Sequence, residues 1–572
     1  MYRFLREHAL SLLCIAIVAA WGLTPLMHDG LFTAHDIWHQ VARLFHYTEA
    51  LKDGQFFPAW VSTLAQGNGY PLFLFSYHLP WFLGSAFVLL GFSIPVSLKL
   101  VFGLSFIFSG LAFYYLAYSL IPKKLSATVA ACLYLAAPFH FLSIYVSASI
   151  GTTVLYLLLP LLFLGIHKIF EKKWVSGIAI TALSAAGAIL THLMSLVIFA
   201  PFIALFALFK FIPLIRAKNW KITSSVLLSF VVVGSVSLLL TAFYSVPLLS
   251  YLPLTRAQDA GNGFSELFAS NLVTIKQLLY SPWGFGPIIS NAKDGQISLQ
   301  LGIAQWLAVI GLLKVVLIDR QFSQFFDKKL VKAQKYTMFV LLATFMITII
   351  AMTDAGHDFW QFMTSLVSID YPFRLLTLSV FLASLAAHFF VSSLKTRQLQ
   401  WFAAVVLVGV ALYTNRNHVR VNLYTYIPVA DYVQAETTTN SFHEYLPKTA
   451  DSSLMNIEKQ RVVVENLPDA YVTTTTNQLA FSLKVGKEQS VTVRQFDFPG
   501  QTLFIDGVKT AHEVDQSGRI KTTLPAGEHQ VVVKYIPTGL MRASTLISVI
   551  SFCILCAGWY ILEKRRKSYE KK

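Results

Sequence analysis

Long apolar runs separated by short polar segments make up most of the sequence. Many have about the 17 to 25 residues that an α-helix needs to cross roughly 30 Å of hydrocarbon. They cover residues 9–27, 71–92, 98–120, 125–142, 152–169, 174–190, 193–213, 223–246, 299–317, 336–353, 373–392, 400–414 and 542–562. This pattern predicts a polytopic α-helical membrane protein with about 12–13 hydrophobic segments.

The composition narrows the class of protein. The chain has 572 residues, of which 55% are hydrophobic and 13% charged, and its mean hydropathy is +0.59. Soluble proteins carry roughly 25% charged residues, so a water-soluble enzyme is excluded and the lipid bilayer is an expected partner. The net charge of +16 does not indicate nucleic acid, because no soluble stretch carries a basic stripe with interleaved aromatic residues.

Lysine and arginine concentrate in short loops, such as those at Lys123, Lys172 and Lys395, and near both termini. Loops of this kind stay in the cytoplasm, so both termini are expected inside and the number of crossings is expected to be even. Because 13 runs are odd, one run does not cross. We expect the run at 71–90, which two prolines interrupt, to be re-entrant or interfacial, whereas Lys99 favours the next run as the alternative. The segment around Asp36 then faces the extracytoplasmic side.

Residues 416–540 change to alternating polar and β-branched positions, which predict strands. Asp506-Gly507 is typical of a two-residue hairpin turn. We expect a small extracytoplasmic β-sandwich before the last membrane helix, with strands at 461–464, 471–476, 479–485, 491–497, 502–505 and 529–535. The predicted domains are a transmembrane domain at 1–415 with outer loops 28–70 and 247–298, the β-rich domain at 416–540, the last membrane helix at 541–562, and a basic cytoplasmic tail at 563–572.

The first outer loop carries candidate chemistry. If it is helical, Asp36, His39 and Arg43 lie on one face, and apolar residues including Val41 and Leu44 lie on another. One interpretation is an amphipathic helix on the membrane surface, where these polar side chains meet lipid head groups. The other makes Asp36 a general base or a metal ligand with His39 beside it.

The same loop carries a recognisable series of motifs. An HDxxH start at 35–39 is followed by Arg43, by G-x-x-x-P-x-W at 54–60 and by GNGYPLFLFSYHLP at 67–80. Together they resemble bacterial multi-pass proteins related to 6-pyruvoyl-tetrahydropterin synthase, a family similar to the GT-C glycosyltransferases and near the YfhO-type membrane proteins. Shorter matches occur at Thr191-His192, Trp283–Gly286, Asp370–Arg374, His443–Pro447, Phe496–Gly500 and Phe504–Gly507.

This resemblance implies an activity. GT-C enzymes transfer a sugar from a polyprenyl-phosphate carrier to an acceptor on the outer face, and they use an acidic residue of the first outer loop. By similarity that residue is Asp36, with His35, His39 and Arg43 in support. The leaving phosphate is negatively charged and needs a cation to bind it. Arg374 is our candidate because its planar guanidinium matches the geometry of phosphate oxygens. The alternative is that Arg374 only anchors the end of a helix by extending its side chain to the membrane interface.

His192 also falls at the outer end of a predicted span. It is a second candidate to contact the donor phosphate, and the alternative is that it only packs.

The sequence departs from the family at one place. Related sequences often carry Tyr-x-Arg-x-x-x-Gly-Glu, whereas here Ser147 and Thr152 stand at the Arg and Glu positions of the stretch 145–152. The metal ligands are therefore unknown: no cofactor is certain, and a divalent metal stays open. Nothing resembles the zinc site of the soluble pterin enzyme.

The function we expect is a cell-membrane glycosyltransferase that transfers sugar from a polyprenyl-phosphate donor to an envelope glycan, polymer or protein, with the β-domain holding or orienting this acceptor. A second functional class is a transporter or flippase of a lipid-linked saccharide, in which the polar residues would line the pathway that the saccharide follows. A non-catalytic envelope scaffold is a third, which the missing Arg and Glu keep open.

Overall fold

The computed structural model describes residues 2–257, 267–286, 296–317, 324–367, 369–434, 443–453 and 472–569. Its helices are α1 (Tyr2–Gly22), α2 (Ile37–Lys52), α3 (Leu72–Phe75), α4 (Leu79–Leu89), α5 (Ile94–Leu120), α6 (Lys124–Leu135), α7 (Pro138–Phe141), α8 (Ile150–Phe170), α9 (Trp174–Arg216), α10 (Trp220–Leu240), α11 (Ala242–Tyr251), α12 (Leu267–Ser270), α13 (Ile275–Leu279), α14 (Ile303–Leu317), α15 (Lys328–Ala351), α16 (His357–Thr364), α17 (Leu376–Ser393), α18 (Arg397–Asn415), α19 (Val429–Gln434) and α20 (Gly539–Tyr569).

The strands are β1 (Leu31–Phe32), β2 (Tyr424–Thr425), β3 (Val472–Thr474), β4 (Gln478–Val485), β5 (Gln489–Phe496), β6 (Gln501–Ile505), β7 (Val508–Thr510), β8 (Glu513–Val514), β9 (Arg519–Leu524) and β10 (Gly527–Tyr535). Strands β1 and β2 pair with each other, so the first outer loop is joined to the segment that follows α18.

Within the described residues, eight helices are long and apolar enough to cross a membrane, or nine if the bent pair formed by α6 and residues 138–146 counts as one span. The chain is therefore mainly helical, and its apolar helices are compatible with a multi-pass membrane protein. The count is below the expected 12–13 partly because two apolar runs form short helices, and because α9 is counted once although His192 divides it into two helices. α4 and α14 have 11 and 15 residues, about 16 and 22 Å, which is less than the hydrocarbon thickness. The run at 71–90 thus forms no full span, as the two prolines predict.

Helix α9 reverses direction within its 43 residues. His192 has non-helical backbone angles (φ −158°, ψ 75°) and divides α9 into two helices. A straight helix of this length would extend about 65 Å. Instead, the rings of Phe170 and Phe211, which flank the two ends, have centroids 5.4 Å apart. The two separate runs predicted at 174–190 and 193–213 are therefore two antiparallel helices that meet at His192.

The helical bundle has two chemically different ends. Arg374 lies just before α17, and Ser392 lies near the other end of this helix. The 18 residues that separate them correspond to a rise of about 27 Å along the helix axis. At that far end the ammonium group of Lys123 donates to the Ser392 carbonyl over 2.6 Å, and that of Lys124 donates to the Glu7 carbonyl over 2.6 Å. The basic loops are thus separated from Arg374 by nearly the thickness of a hydrocarbon core.

Helix α2 is packed inside the protein. It contacts α4, α5 and α19, and the side chains of Val41, Leu44 and Tyr47 are fully buried. On its polar face, His46 is also buried. The interpretation of α2 as a surface helix that meets lipid head groups is therefore wrong, because α2 packs against α4, α5 and α19 and most of its side chains are buried or half-buried.

The C-terminal region is a β-sandwich. One sheet has the order β3-β4-β10-β6-β7 and the other β5-β9-β8, and side chains from both sheets form one apolar core. Asp506 and Gly507 both have positive φ, 52° and 78°, and join β6 to β7 as the predicted two-residue turn. The strand predicted at 461–464 lies outside the described residues.

The β-sandwich contacts the first outer loop directly. The ring of Trp60 stacks on Tyr535 with an interplanar angle of 9°. The backbone N–H and the hydroxyl of Thr476 donate to Asp53 over 2.7 and 2.8 Å. The first outer loop and the β-sandwich therefore lie at the same end of the bundle.

Candidate functional site

Backbone hydrogen bonds fix the start of α2. The N–H groups of His35 and Asp36 donate to the carbonyls of Val146 and Ser147 over 2.9 and 3.0 Å. Asp36 is the N-cap residue of α2, yet its side chain makes no capping hydrogen bond. Its carboxylate is therefore available to a ligand while the helix dipole of α2 stabilises its negative charge.

Asp36 lines a cavity of about 430 Å³. Three separate parts of the chain form it: the start of α2, the segment from α7 to α8, and the start of α17. The lining residues are His35, Asp36, His39, Phe139, Leu142, Ser143, Ser147, Ser149, Thr152, Tyr371, Phe373, Arg374 and Thr377. The structure thus brings together four predicted site residues, His35, Asp36, His39 and Arg374, from distant parts of the sequence.

Arg374 is held by two partners. Its Nη2 donates to the Asp370 carboxylate over 2.5 Å, and its Nη1 lies 2.7 Å from Nε2 of His192. Because a guanidinium only donates, Nε2 of His192 accepts. The guanidinium also lies 5.2 Å from the ring centre of Tyr371. Arg374 therefore faces the cavity with a fixed orientation, and the alternative of a snorkelling helix anchor does not describe it.

His192 lies behind Arg374 and is not among the residues that line the cavity. Its ring is parallel to that of Tyr77, with centroids 6.2 Å apart. Gly151 permits this position, because a Cβ there would meet the Thr191 carbonyl at 2.6 Å and the His192 ring at 2.9 Å. His192 is therefore a positioning residue for Arg374.

Burial sets the electrostatics of the first-loop residues. It raises the pKa of Asp36, although the positive charge of Arg43 opposes the shift. Burial also lowers the pKa of His39 to about 4, and Arg43 adds to that effect. At neutral pH His39 is therefore uncharged, and Asp36 is a stronger base than an ordinary carboxylate.

A buried polar region extends from the cavity toward the β-sandwich. Burial raises the pKa of Tyr77 to about 12, and the positive charge of Arg43 opposes this shift. Farther away, burial raises the pKa of Tyr445; the charge of the buried Glu444 adds to this shift and that of Arg43 opposes it, so these two charges share one region. Sequence reasoning missed Tyr77 and Glu444 as members of the site, although both fall within motifs of the resemblance.

Part of the stretch 145–152 lines the cavity. Its residues Ser147 and Thr152 are lining residues, and they stand where the sequences that this chain resembles often carry Arg and Glu. The hydroxyl of Ser149 lies 2.8 Å from that of Thr152. This side of the cavity therefore offers neutral hydroxyl groups that can hydrogen-bond another hydroxyl-rich molecule.

The cavity residues do not make a good metal site. Among the residues that the structure describes, no group of three or more His, Cys, Asp or Glu side chains could hold a metal ion. Ser147, Ser149 and Thr152 offer only neutral hydroxyl groups on one side of the cavity, and the Arg374 cation lines the same cavity. A divalent metal prefers several carboxylate or carbonyl oxygens, so we derive no step through one.

Comparison with protein-family models gives no match. Over 281 residues the chain is 27% identical to an uncharacterized protein of Lactococcus lactis subsp. cremoris (strain MG1363). The matched stretch is 48% of this chain and 45% of the relative, so the chain covers less than half of that protein. The relative is uncharacterized, so this similarity indicates no activity.

Proposed function

We propose that the protein is a membrane glycosyltransferase of GT-C type that transfers a sugar from a polyprenyl-phosphate donor to an extracytoplasmic envelope acceptor. One observation carries this proposal: Asp36 and Arg374, a half-buried base and an oriented guanidinium, line one cavity of about 430 Å³. A base and an anion-binding group are the two functions that glycosyl transfer from a phosphate carrier requires.

Asp36 would act on the acceptor. Its carboxylate removes the proton of an acceptor hydroxyl, and the oxygen forms a bond to the anomeric carbon of the donor sugar. The bond from that carbon to the phosphate oxygen breaks, and its electron pair leaves with the carrier phosphate. The raised pKa of Asp36 supports this role, because a buried carboxylate binds the transferred proton more tightly.

Arg374 would receive the leaving phosphate. Asp370 and His192 occupy one N–H on each terminal nitrogen, and the Nε–H has no partner among the described residues. The guanidinium therefore keeps donors for phosphate oxygens, and its orientation is fixed before the ligand arrives. The hydroxyls of Ser149 and Thr152 would hydrogen-bond the sugar.

The proposed orientation places this cavity and the β-sandwich outside the cytoplasm. The basic loops at Lys123 and Lys124 lie at the opposite end of α17, and positively charged loops stay inside. The acceptor would then be an envelope glycan, polymer or protein that the β-sandwich holds beside the cavity.

A comparison of envelope glycans from cells with and without the gene tests the proposal. We expect one glycan or one sugar substituent to be lost on deletion, and to return with the wild-type gene but not with Asp36→Asn. Asp29→Asn is a matched control, since Asp29 is exposed in the same loop and lies outside the cavity. Restoration by Asp36→Asn would instead favour a transporter or scaffold.

A further inference from the structure

A second and larger cavity, of about 790 Å³, lies between the first outer loop, α11, the end of β10 and the start of α20. Its lining includes Phe57, His78, Phe243 and Tyr535. Tyr77, the neighbour of His78, lies against His192 beside the first cavity. The two cavities are therefore on opposite sides of the segment 77–78.

The part of α20 that lines this cavity is one face of a membrane helix. The lining residues of α20 are Met541, Arg542, Thr545, Leu546 and Val549, whose spacing places them on one side. From Arg542 to Val549 the helix rises about 10 Å, from its polar end into the candidate span 539–561. Leu546 and Val549 are exposed, so the cavity opens on the apolar surface of the bundle.

Cations lie at the polar end of this face. Arg542 and Lys534 line the cavity and are exposed. Asp53 also lines it, but its carboxylate accepts two hydrogen bonds from Thr476. The cavity therefore offers two positive charges at its outer end, one engaged carboxylate, and an apolar surface that continues toward the bilayer centre.

We propose that this second cavity binds one anionic phospholipid of the bilayer. The phosphate lies between Lys534 and Arg542, and one acyl chain follows Phe243, Leu546 and Val549. A lipid has this distribution of chemistry, with a negative head next to an apolar chain along the membrane normal. The proposal does not depend on glycosyl transfer, because the cavity is separate from Asp36.

Lipid retention in native mass spectrometry tests this proposal. The full-length protein is purified in detergent and mixed with phosphatidylglycerol or with phosphatidylcholine. We expect selective retention of phosphatidylglycerol, and a loss of roughly tenfold or more in Lys534→Gln/Arg542→Gln, since each surface cation contributes to attraction of an anionic lipid. Lys509→Gln, which neutralises an exposed lysine elsewhere in the β-sandwich, is the control.

A second pair of variants tests the position of the lipid's acyl chain. Leu546→Trp fills the cavity, whereas Ile547→Trp adds the same bulk to a neighbouring exposed position outside it. We expect only Leu546→Trp to reduce retention, and a photoactivatable phosphatidylglycerol to label residues of the cavity. The proposal would be overturned if both lipids were retained equally, or if all variants retained phosphatidylglycerol equally. Labelling outside the cavity, or retention of farnesyl phosphate in place of phosphatidylglycerol, would also overturn it.

Discussion

Arg374 and His192 are joined by a 2.7 Å hydrogen bond between the beginning of one long apolar helix, α17, and the reversal point of another, α9. Asp370 holds the other side of the same guanidinium. An arginine held on both sides loses little conformational freedom when it binds a ligand. This arrangement gives the cavity a fixed cation opposite the start of α2.

Asp36→Asn is expected to reduce sugar transfer by on the order of 100- to 10,000-fold, because an amide cannot accept the hydroxyl proton. Transfer is measured in membranes that contain equal amounts of each variant and a polyprenyl-phosphate sugar donor. Asp29→Asn should retain the wild-type rate. A near-normal rate for the Asp36 variant would remove the assignment of this residue as the base.

The same Asp36→Asn variant is expected to be more stable than the wild type at pH 7. Burial raises the pKa of Asp36, so the folded protein binds this proton more tightly than the unfolded chain. The contribution of Asp36 to stability is therefore favourable at low pH and falls as the pH rises from the ordinary value of 3.8 through the raised one. In thermal unfolding, the Tm of Asp36→Asn should exceed that of the wild type at pH 7, and this difference in Tm should shrink toward pH 4. A Tm difference that stays constant with pH would contradict the effect of burial on Asp36.

Arg374→Lys is expected to raise the KM for the donor about tenfold or more. An ammonium is a point charge and cannot keep the contacts to Asp370 and His192 while it binds phosphate with two parallel hydrogen bonds. Arg416→Lys is the matched control, since Arg416 lies exposed at the end of another membrane helix and contacts Tyr413. An unchanged donor KM, with transfer still measurable, would exclude the phosphate role.

Cysteine accessibility is expected to place the first outer loop and the β-sandwich outside the cell. Single cysteines at Asp29 and Lys509 should react with a membrane-impermeant maleimide in intact cells, and a cysteine at Lys218 should react only after permeabilisation. All three positions are exposed. Reaction at only one of the first two positions would contradict the contact between the first outer loop and the β-sandwich, and the opposite pattern would reverse the orientation.

Gly69→Ala is expected to destabilise the contact between the first outer loop and the β-sandwich. Gly69 has φ +83°, and a Cβ there would meet the Trp60 ring at 2.2 Å. Gly54 has a similar φ of +86° with open space around it, so Gly54→Ala introduces only the backbone strain. We expect about 1 kcal/mol for Gly54→Ala and a further 1–3 kcal/mol, approximately, for Gly69→Ala.

Thermal unfolding and limited proteolysis of the β-sandwich measure the two glycine variants. Equal destabilisation would show that the Trp60 ring moves aside without cost.

Local patterns in the sequence predict the local structure well. Helical spacing predicts α2, alternation predicts β4, β5, β6 and β10, and the Asp506-Gly507 pair predicts its hairpin turn. Each depends on residues close in sequence, where periodicity and turn chemistry decide the conformation. The break between the runs at 174–190 and 193–213 also marks the reversal at His192.

Contacts between distant segments could not be predicted in the same way. Amphipathic spacing shows that α2 has an apolar face but does not say whether protein or lipid covers the other face. The pairing of Arg374 with His192 depends on how two membrane helices pack, which no single run encodes. The importance of Glu444 depends on its burial near the charge of Arg43, a property that appears only in three dimensions.

The contacts of Thr476 with the first outer loop can form only late in synthesis. Thr476 hydrogen-bonds both Asp53 and Gln55, and it lies 421 residues after Gln55 in the sequence. At about 5 to 20 residues per second, the ribosome needs roughly 20 to 80 s to reach the partner strands after the first loop has been synthesised. During that interval Trp60 lacks Tyr535, so the nascent loop exposes apolar rings that a chaperone or the membrane interface must cover. Premature termination anywhere before the β-sandwich would leave the first loop without that cover.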